Sequence, residues 1–273
     1  MLCHIYKLGF VFIFTGVMIY CSPEKNSEFM NHNSFDPSKS DAKAIQIVNE
    51  MWQALGGNDN WNRARYLSFR WIIEQDGNPL VDRRHDWDRD SNRYRVEGTN
   101  RKGQRFVGIF NTQTKDGEVY LDGGKVTIDS TKNQMLKNAY RSFINDSYWL
   151  LMPHKLNDPG VILSYEGEKE LNGQSYDVIK VTFENVGLTP GDMYWAYIDK
   201  TDRLMHKWEY ILERYPQDRE PSGAWWKDWQ PFGGVQLAMN REIEGRDVRI
   251  YFKDVVVSPE VDESVFELTG KTF

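Results

Sequence analysis

Cysteine is almost missing from this 273-residue chain, which has only Cys3 and Cys21. From residue 22 onward there is no thiol for a disulfide, a thiolate metal site or a catalytic nucleophile. Histidine is nearly as scarce: five occur, and His4 and His32 precede any patterned segment. No H-E-x-x-H pair or G-x-S-x-G elbow is present. The glycines of Leu121-Asp122-Gly123-Gly124-Lys125 fit a hairpin turn better than a phosphate cradle. Positive charge is also short. A net charge of −6 argues against nucleic acid, whose phosphates call for a basic face. On these grounds no metal, no other cofactor and no enzymatic activity is expected.

Long apolar runs are missing too, with one exception. Lys7 is followed by a run from Leu8 to Tyr20, well short of the about 20 residues a membrane-spanning helix needs. That is the pattern of an export signal over residues 1–20. Cys21 stands directly after it and opens a polar stretch rich in Ser, Asn and Glu. The arrangement resembles the lipobox of bacterial lipoproteins, with Met18 and Ile19 acceptable and Tyr20 standing where that motif has a small residue. The resemblance implies acylation of Cys21 and a membrane anchor in the cell envelope. Loss of residues 1–20 removes Lys7 and no acid, taking the net charge from −6 to −7. Residues 21–40, with Pro23, Asn31, Asn33 and Pro37, read as a disordered tether. Residues 41–273 are then long enough for a single domain with its own core.

The tether ends where helical spacing begins. Ser40 or Asp41 can cap a helix whose apolar stripe is Ile45, Val48, Met51, Trp52 and Leu55, ended by Gly56-Gly57. The period then switches to two. Strands are predicted near 67–74, 81–87, 93–98, 105–111, 118–121 and 125–128. From Lys132 to Met152 the pattern turns helical again. Further strands are predicted at 161–166, 176–183, 193–199, 204–212, 235–243 and 248–257, with a hairpin at Leu171-Asn172-Gly173-Gln174 and a long loop from Glu213 to Gly234. The expected fold is mainly β (α+β): a strongly curved antiparallel sheet or half-open β-barrel, with an N-terminal helix and helices inserted midway.

The densest polar cluster is His85-Asp86-Trp87-Asp88-Arg89-Asp90. Such a set could ligate a metal or share acid–base work, but a solvated strand end is the better account. Aromatic residues, 14% of the chain with 10 tryptophans, are more informative. Trp225, Trp226 and Trp229 crowd the expected 213–234 loop, where they could close over a ligand or stack on a sugar. Trp149 and Leu150 end the central helical section in a nearly continuous apolar patch. Alternating strands offer Phe69, Trp71 and Ile73, then Trp195 and Tyr197, Trp208 and Tyr210, and Leu237 and Met239. These could line a pocket or simply fill the core.

The order of elements resembles the LolA/LolB superfamily of outer-membrane lipoprotein-sorting proteins. The closing run from Val255 to Leu268, with Pro259, Asp262 and Phe266, is similar to that superfamily's last strand and Asp…Phe clasp. The segments Tyr148–Leu156, Asp158–Val161 and Asp177–Phe183 look more specifically like a family of uncharacterised exported bacterial proteins. The resemblance implies a half-barrel whose concave face receives acyl chains under a cover of helices. It carries over no individual functional residue. The expected function is that of a periplasm-facing or outer-membrane binding protein for a hydrophobic or amphipathic small ligand, such as a lipid or lipoprotein acyl chain. A sugar- or polymer-binding module built on the tryptophan loop is the alternative, and an envelope hydrolase using Asp86 and Asp88 the third reading.

Overall fold

Period-two alternation beyond residue 65 folds as one sheet. A computed structural model describes residues 35–184 and 186–268. The export signal, Cys21 and residues 22–34 of the expected tether lie outside the described residues. The strands are β1 (Tyr66–Gln75), β2 (Asn78–Asp88), β3 (Arg93–Thr99), β4 (Arg105–Asn111), β5 (Gly117–Leu121), β6 (Gly124–Lys125), β7 (Val161–Leu171), β8 (Gln174–Phe183), β9 (Met193–Asp199), β10 (Met205–Ile211), β11 (Ser222–Phe232), β12 (Val235–Ile243) and β13 (Val248–Ser258). They form a 13-stranded antiparallel sheet in the order β6-β5-β4-β3-β2-β1-β13-β12-β11-β10-β9-β8-β7. Two meanders therefore run outward from a central seam where the last strand pairs with the first, Trp71 opposite Phe252 and Ile73 opposite Ile250. The sheet does not close, and β6 and β7 are its edges. This is the curved, mainly β architecture that the alternation implies. The Asn172-Gly173 turn takes positive φ at both residues, 54° and 78°, the geometry that matches the twist of a tight hairpin.

Among the described residues three α-helices complete the fold: α1 (Ala42–Ala54), α2 (Gly57–Arg63) and α3 (Asp129–Leu151). Asp41 precedes α1 but makes no side-chain cap. Its carboxylate instead accepts from the Tyr165 N–H at 2.8 Å, while Ser40 Oγ accepts from the Leu163 N–H at 2.9 Å. The predicted capping residues thus fasten the helix start to edge strand β7, covering backbone donors that would otherwise invite pairing with another chain. Residues 35–40, expected in the tether, are consequently docked on the domain. Phe35 packs on the core, Pro37–Lys39 forms a 3-10 turn, and Lys39 pairs with Glu184.

One face of the sheet, here the inner face, carries α1 and α3. Ala44, Ile47, Val48 and Met51 of α1 pack with Leu163, Ile179, Ala196, Met205 and Ala224, one residue from each of five strands from β7 to β11. Leu136, Ala139 and Phe143 of α3 pack on Tyr94, Val96, Phe110 and Val119 at the other end. Gly108 of β4 makes this approach possible, since a Cβ there would lie 2.9 Å from Ala139 Cβ. On the outer face the chain end forms the expected clasp. Asp262 accepts from the Ser264 N–H at 3.0 Å, and Phe266 is buried beneath the Arg93 guanidinium, 4.2 Å away. Buried Arg95 pairs with Glu97 and donates to the carbonyls of Val265 and Glu267, tying the clasp to β3.

Candidate functional site

The expected tryptophan loop is a strand. Residues 222–232 form β11, which pairs with both β10 and β12. Asp228 takes φ of 59° within it. This places Trp229 in the same inner cluster as Trp226, three residues away. Trp225 points to the outer face, where its indole N–H donates to Glu244 at 2.9 Å. The three indoles therefore share no exposed platform, which corrects the loop reading and removes the main support for a sugar-stacking surface.

The other aromatic candidates also divide between the faces. Trp195 and Tyr197 lie outside with Tyr176, Val178 and Trp225. Buried Lys207 sits over Tyr197 and Trp225 there, paired with Glu209 and Glu244 at 2.9 Å. Trp208, Tyr210 and Trp149 belong to the inner cluster. Phe69, Trp71, Ile73 and Leu150 are buried, Leu237 is fully buried and Met239 half-buried.

On the inner face, rings follow one another from strand to strand in a line that a guanidinium bridges at one point. Phe183 meets Tyr194 at 5.7 Å, Tyr194 meets Trp208 at 5.2 Å, and Trp208 meets Trp226 at 5.4 Å between centroids. The Arg241 guanidinium bridges Trp226 and Phe252, at 3.7 and 4.9 Å. Phe252 then meets Phe69 at 5.9 Å, Phe69 stacks on His85 at 4.7 Å, and His85 meets Tyr94 and Tyr94 meets Phe110 at 5.8 and 5.5 Å. The line takes one residue from every strand between β8 and β4 in sheet order. Trp149 of α3 closes on Trp208 at 4.6 Å. Along this margin Trp149, Tyr210, Phe183 and Trp229 are only half-buried.

This face is rich in hydrogen-bond donors and poor in acceptors. The indole N–H groups of Trp71, Trp87, Trp208, Trp226 and Trp229 are buried without an acceptor in the protein, as are Nε and Nη2 of Arg241. Buried polar groups are normally satisfied, so this concentration singles out the inner face as the candidate site. Two shallow surface grooves lie elsewhere. One of about 580 Å³ runs beside Trp225 and the β12–β13 turn, and one of about 470 Å³ lies on the outer side of α1. The inner face itself is covered by α1 and α3, whose apolar residues pack on it.

The charged centre of the 85–90 cluster is buried, not solvated, while Asp90 at its end is exposed. His85, Asp86 and Asp88 are at most 1% exposed. Asp86 accepts from Tyr66 Oη at 2.6 Å on the outer face, and Asp88 takes two hydrogen bonds from Arg65 at 3.0 and 2.9 Å. Arg65 holds the Asp88 carboxyl down at about 2. With these partners the two acids do structural work, which removes the basis for the hydrolase reading. His85 turns inward. Its Nδ1 is 2.9 Å from Tyr94 Oη, and its Nε2 stands 3.0 Å from Asp146 Oδ2, outside hydrogen-bond alignment. Asp146 of α3, fully buried, accepts two hydrogen bonds from Arg83 at 2.7 and 2.9 Å. Burial pushes the Asp146 carboxyl up, but Arg83 and His85 together outweigh it and hold it below its ordinary value. Arg83 also lies over Trp71 at 4.5 Å. This latch fixes α3 to the middle of the inner face. Sequence reading missed Asp146, Arg83 and Arg241, whose one signal is a charge at an inward position of an otherwise apolar face.

His154, in the 3-10 turn after α3, stacks on Trp61 at 4.8 Å with neither ring nitrogen partnered. Burial, with help from Arg89 and Lys155, depresses its pKa to about 3. The unfolded chain takes up this proton near 6.5, so the native state is fully favoured above that pH and weakens as pH falls towards 3. His154→Phe should remove roughly 2 kcal/mol of the stability lost between pH 7 and pH 5. Urea unfolding at the two pH values checks this, and an unchanged pH slope would refute it.

Metal-ligating side chains converge at one place among the described residues: Asp199, Asp202 and His206 of the β9–β10 hairpin. Asp199 Oδ1 accepts from the N–H groups of Thr201 and Asp202, and Asp202 from that of Leu204, which accounts for both acids as turn-forming residues.

Residues 33–218 match the family of unknown function DUF6503. The chain belongs to that family. No curated protein matches this DUF6503 chain. Among solved structures it is similar to a DUF1329 family protein from Desulfovibrio piger, with 10% identity, 82% of this chain and 97% of that one covered, and a TM-score of 0.45. A LolA superfamily protein from Nitrosomonas europaea shows 8% identity, 82% and 96% coverage and a TM-score of 0.47. Mycobacterium tuberculosis lipoprotein LppX shows 11% identity, 77% and 95% coverage and a TM-score of 0.29.

Proposed function

We propose that this DUF6503 protein is a non-enzymatic carrier that holds an amphipathic small ligand, a lipid or lipoprotein acyl chain, between α3 and the inner face of the sheet. The observation that carries the reading is the line of aromatic rings across that face, bridged by Arg241, with its excess of unpaired donors. Apolar chain atoms gain roughly 0.8 kcal/mol per buried methylene against such rings, and the donors await acceptors that the protein does not provide. Because the face is closed by α3, loading requires that helix to rise. The half-buried margin of Trp149, Tyr210, Phe183 and Trp229 is where the chain would first make contact. The export-signal pattern of residues 1–20 and the lipobox-like position of Cys21 support an envelope location for this carrier, with an acyl group on Cys21 as its anchor. Native mass spectrometry of protein gently extracted from its own cells tests the reading. One co-purifying acyl species per chain is the expected result. Protein that is uniformly empty and takes up no added lipid would overturn it.

A further inference from the structure

The inner face holds two arginines stacked on tryptophans, and they differ in one respect. Arg83 lies over Trp71 and has a fully buried carboxylate, Asp146, to neutralise it. Arg241 lies over Trp226, is itself 0% exposed, and has no carboxylate paired with it among the described residues. Its Nη1 donates to its own strand, to the Ala238 carbonyl at 2.5 Å, while Nε and Nη2 have no acceptor. Burial alone drives its pKa well below the ordinary arginine value, with no acid opposing the shift.

Stripping a guanidinium of water costs more than one carbonyl and two ring faces return. A trapped water could satisfy an indole N–H, but it cannot neutralise a cation. The two free nitrogens of Arg241 also present the planar fork that suits a phosphate or carboxylate. The Trp226 indole beneath it adds another unpaired donor. Phe252, 4.9 Å from the guanidinium, and Trp208, which meets Trp226, belong to the aromatic line, so an anion held here would have its attached chain lying along the rings.

Resting on the carrier reading above, we propose that Arg241 is the head-group anchor of the site and that the ligand is an anionic amphiphile with a phosphate or carboxylate head. Titration of the full domain with dodecyl phosphate, dodecyl maltoside and inorganic phosphate, followed by tryptophan fluorescence, tests this. Wild type should bind dodecyl phosphate roughly tenfold or more tighter than the maltoside, the worth of a charge-assisted pair. Arg241→Met should abolish that preference, and Arg241→Lys, which keeps the charge but loses the fork, should retain part of it. Without ligand, Arg241→Met should melt no lower than wild type, because the charge it removes is uncompensated. Equal binding of both amphiphiles by wild type would overturn the head-group assignment and leave the carrier reading intact. Binding of neither would overturn both. Inorganic phosphate binding as tightly as dodecyl phosphate, and lost in Arg241→Met, would uphold the anion site with free phosphate as its occupant.

Discussion

Asp146→Ala should destabilise the protein by about 3–5 kcal/mol, the cost of leaving buried charge without its partner. Asp146 is 0% exposed and is the acid that the Arg83 guanidinium meets with two hydrogen bonds. Its removal strands that cation against Trp71 and withdraws the negative charge beside His85. The loss falls on the C-terminal third of α3, so this helix should gain hydrogen exchange before the strands do. Urea unfolding gives the magnitude. A double replacement, Arg83→Met with Asp146→Leu, should recover most of the loss, because an apolar pair of similar volume needs no neutralisation. An Asp146→Ala protein within about 1 kcal/mol of wild type would show that the latch does not hold α3.

The arrangement of elements was legible where one local rule decided it. The α1 helix, the Asn172-Gly173 hairpin and the central helix each rest on a short-range pattern, and each is found, although α1 buries Ala44, Ile47, Val48 and Met51 and leaves Ile45 and Trp52 of the predicted stripe half-buried. The tryptophan segment was not legible. Pro231 and the broken alternation of Trp225, Trp226 and Trp229 suggest a loop, whereas Asp228 with φ of 59° lets a strand carry two of the indoles inward. The 85–90 cluster misleads for a different reason. Its charges look solvated because their partners are remote in sequence: Tyr66 and Arg65 for the acids, Asp146 of α3 for His85. Strand alternation could propose which aromatics face inward, but bulges in β1, β2 and β10 reset the count. It therefore could not foresee that Trp195, Tyr197 and Trp225 would share the outer face. Arg241 has the same history. In sequence it is one more charge in β12, and only the absence of a facing acid makes it conspicuous.

The carrier reading stands on α3 being a movable roof rather than a permanent part of the core. The helix is held by packing of Leu136, Ala139 and Phe143 and by the Asp146 latch, and Gly108 lies directly under Ala139. That proximity allows the roof to be locked. A pair of cysteines at Gly108 and Ala139, in a chain with Cys21 replaced by serine, would have Cβ atoms close to 2.9 Å apart. Opening by several tenths of an ångström reaches the about 3.5–4.5 Å that a disulfide spans. Binding of dodecyl phosphate to this Gly108→Cys/Ala139→Cys protein should vanish when the bond is formed and return on reduction. Equal binding by the oxidised and reduced protein would contradict the account, since the ligand would then have no need of the space beneath α3.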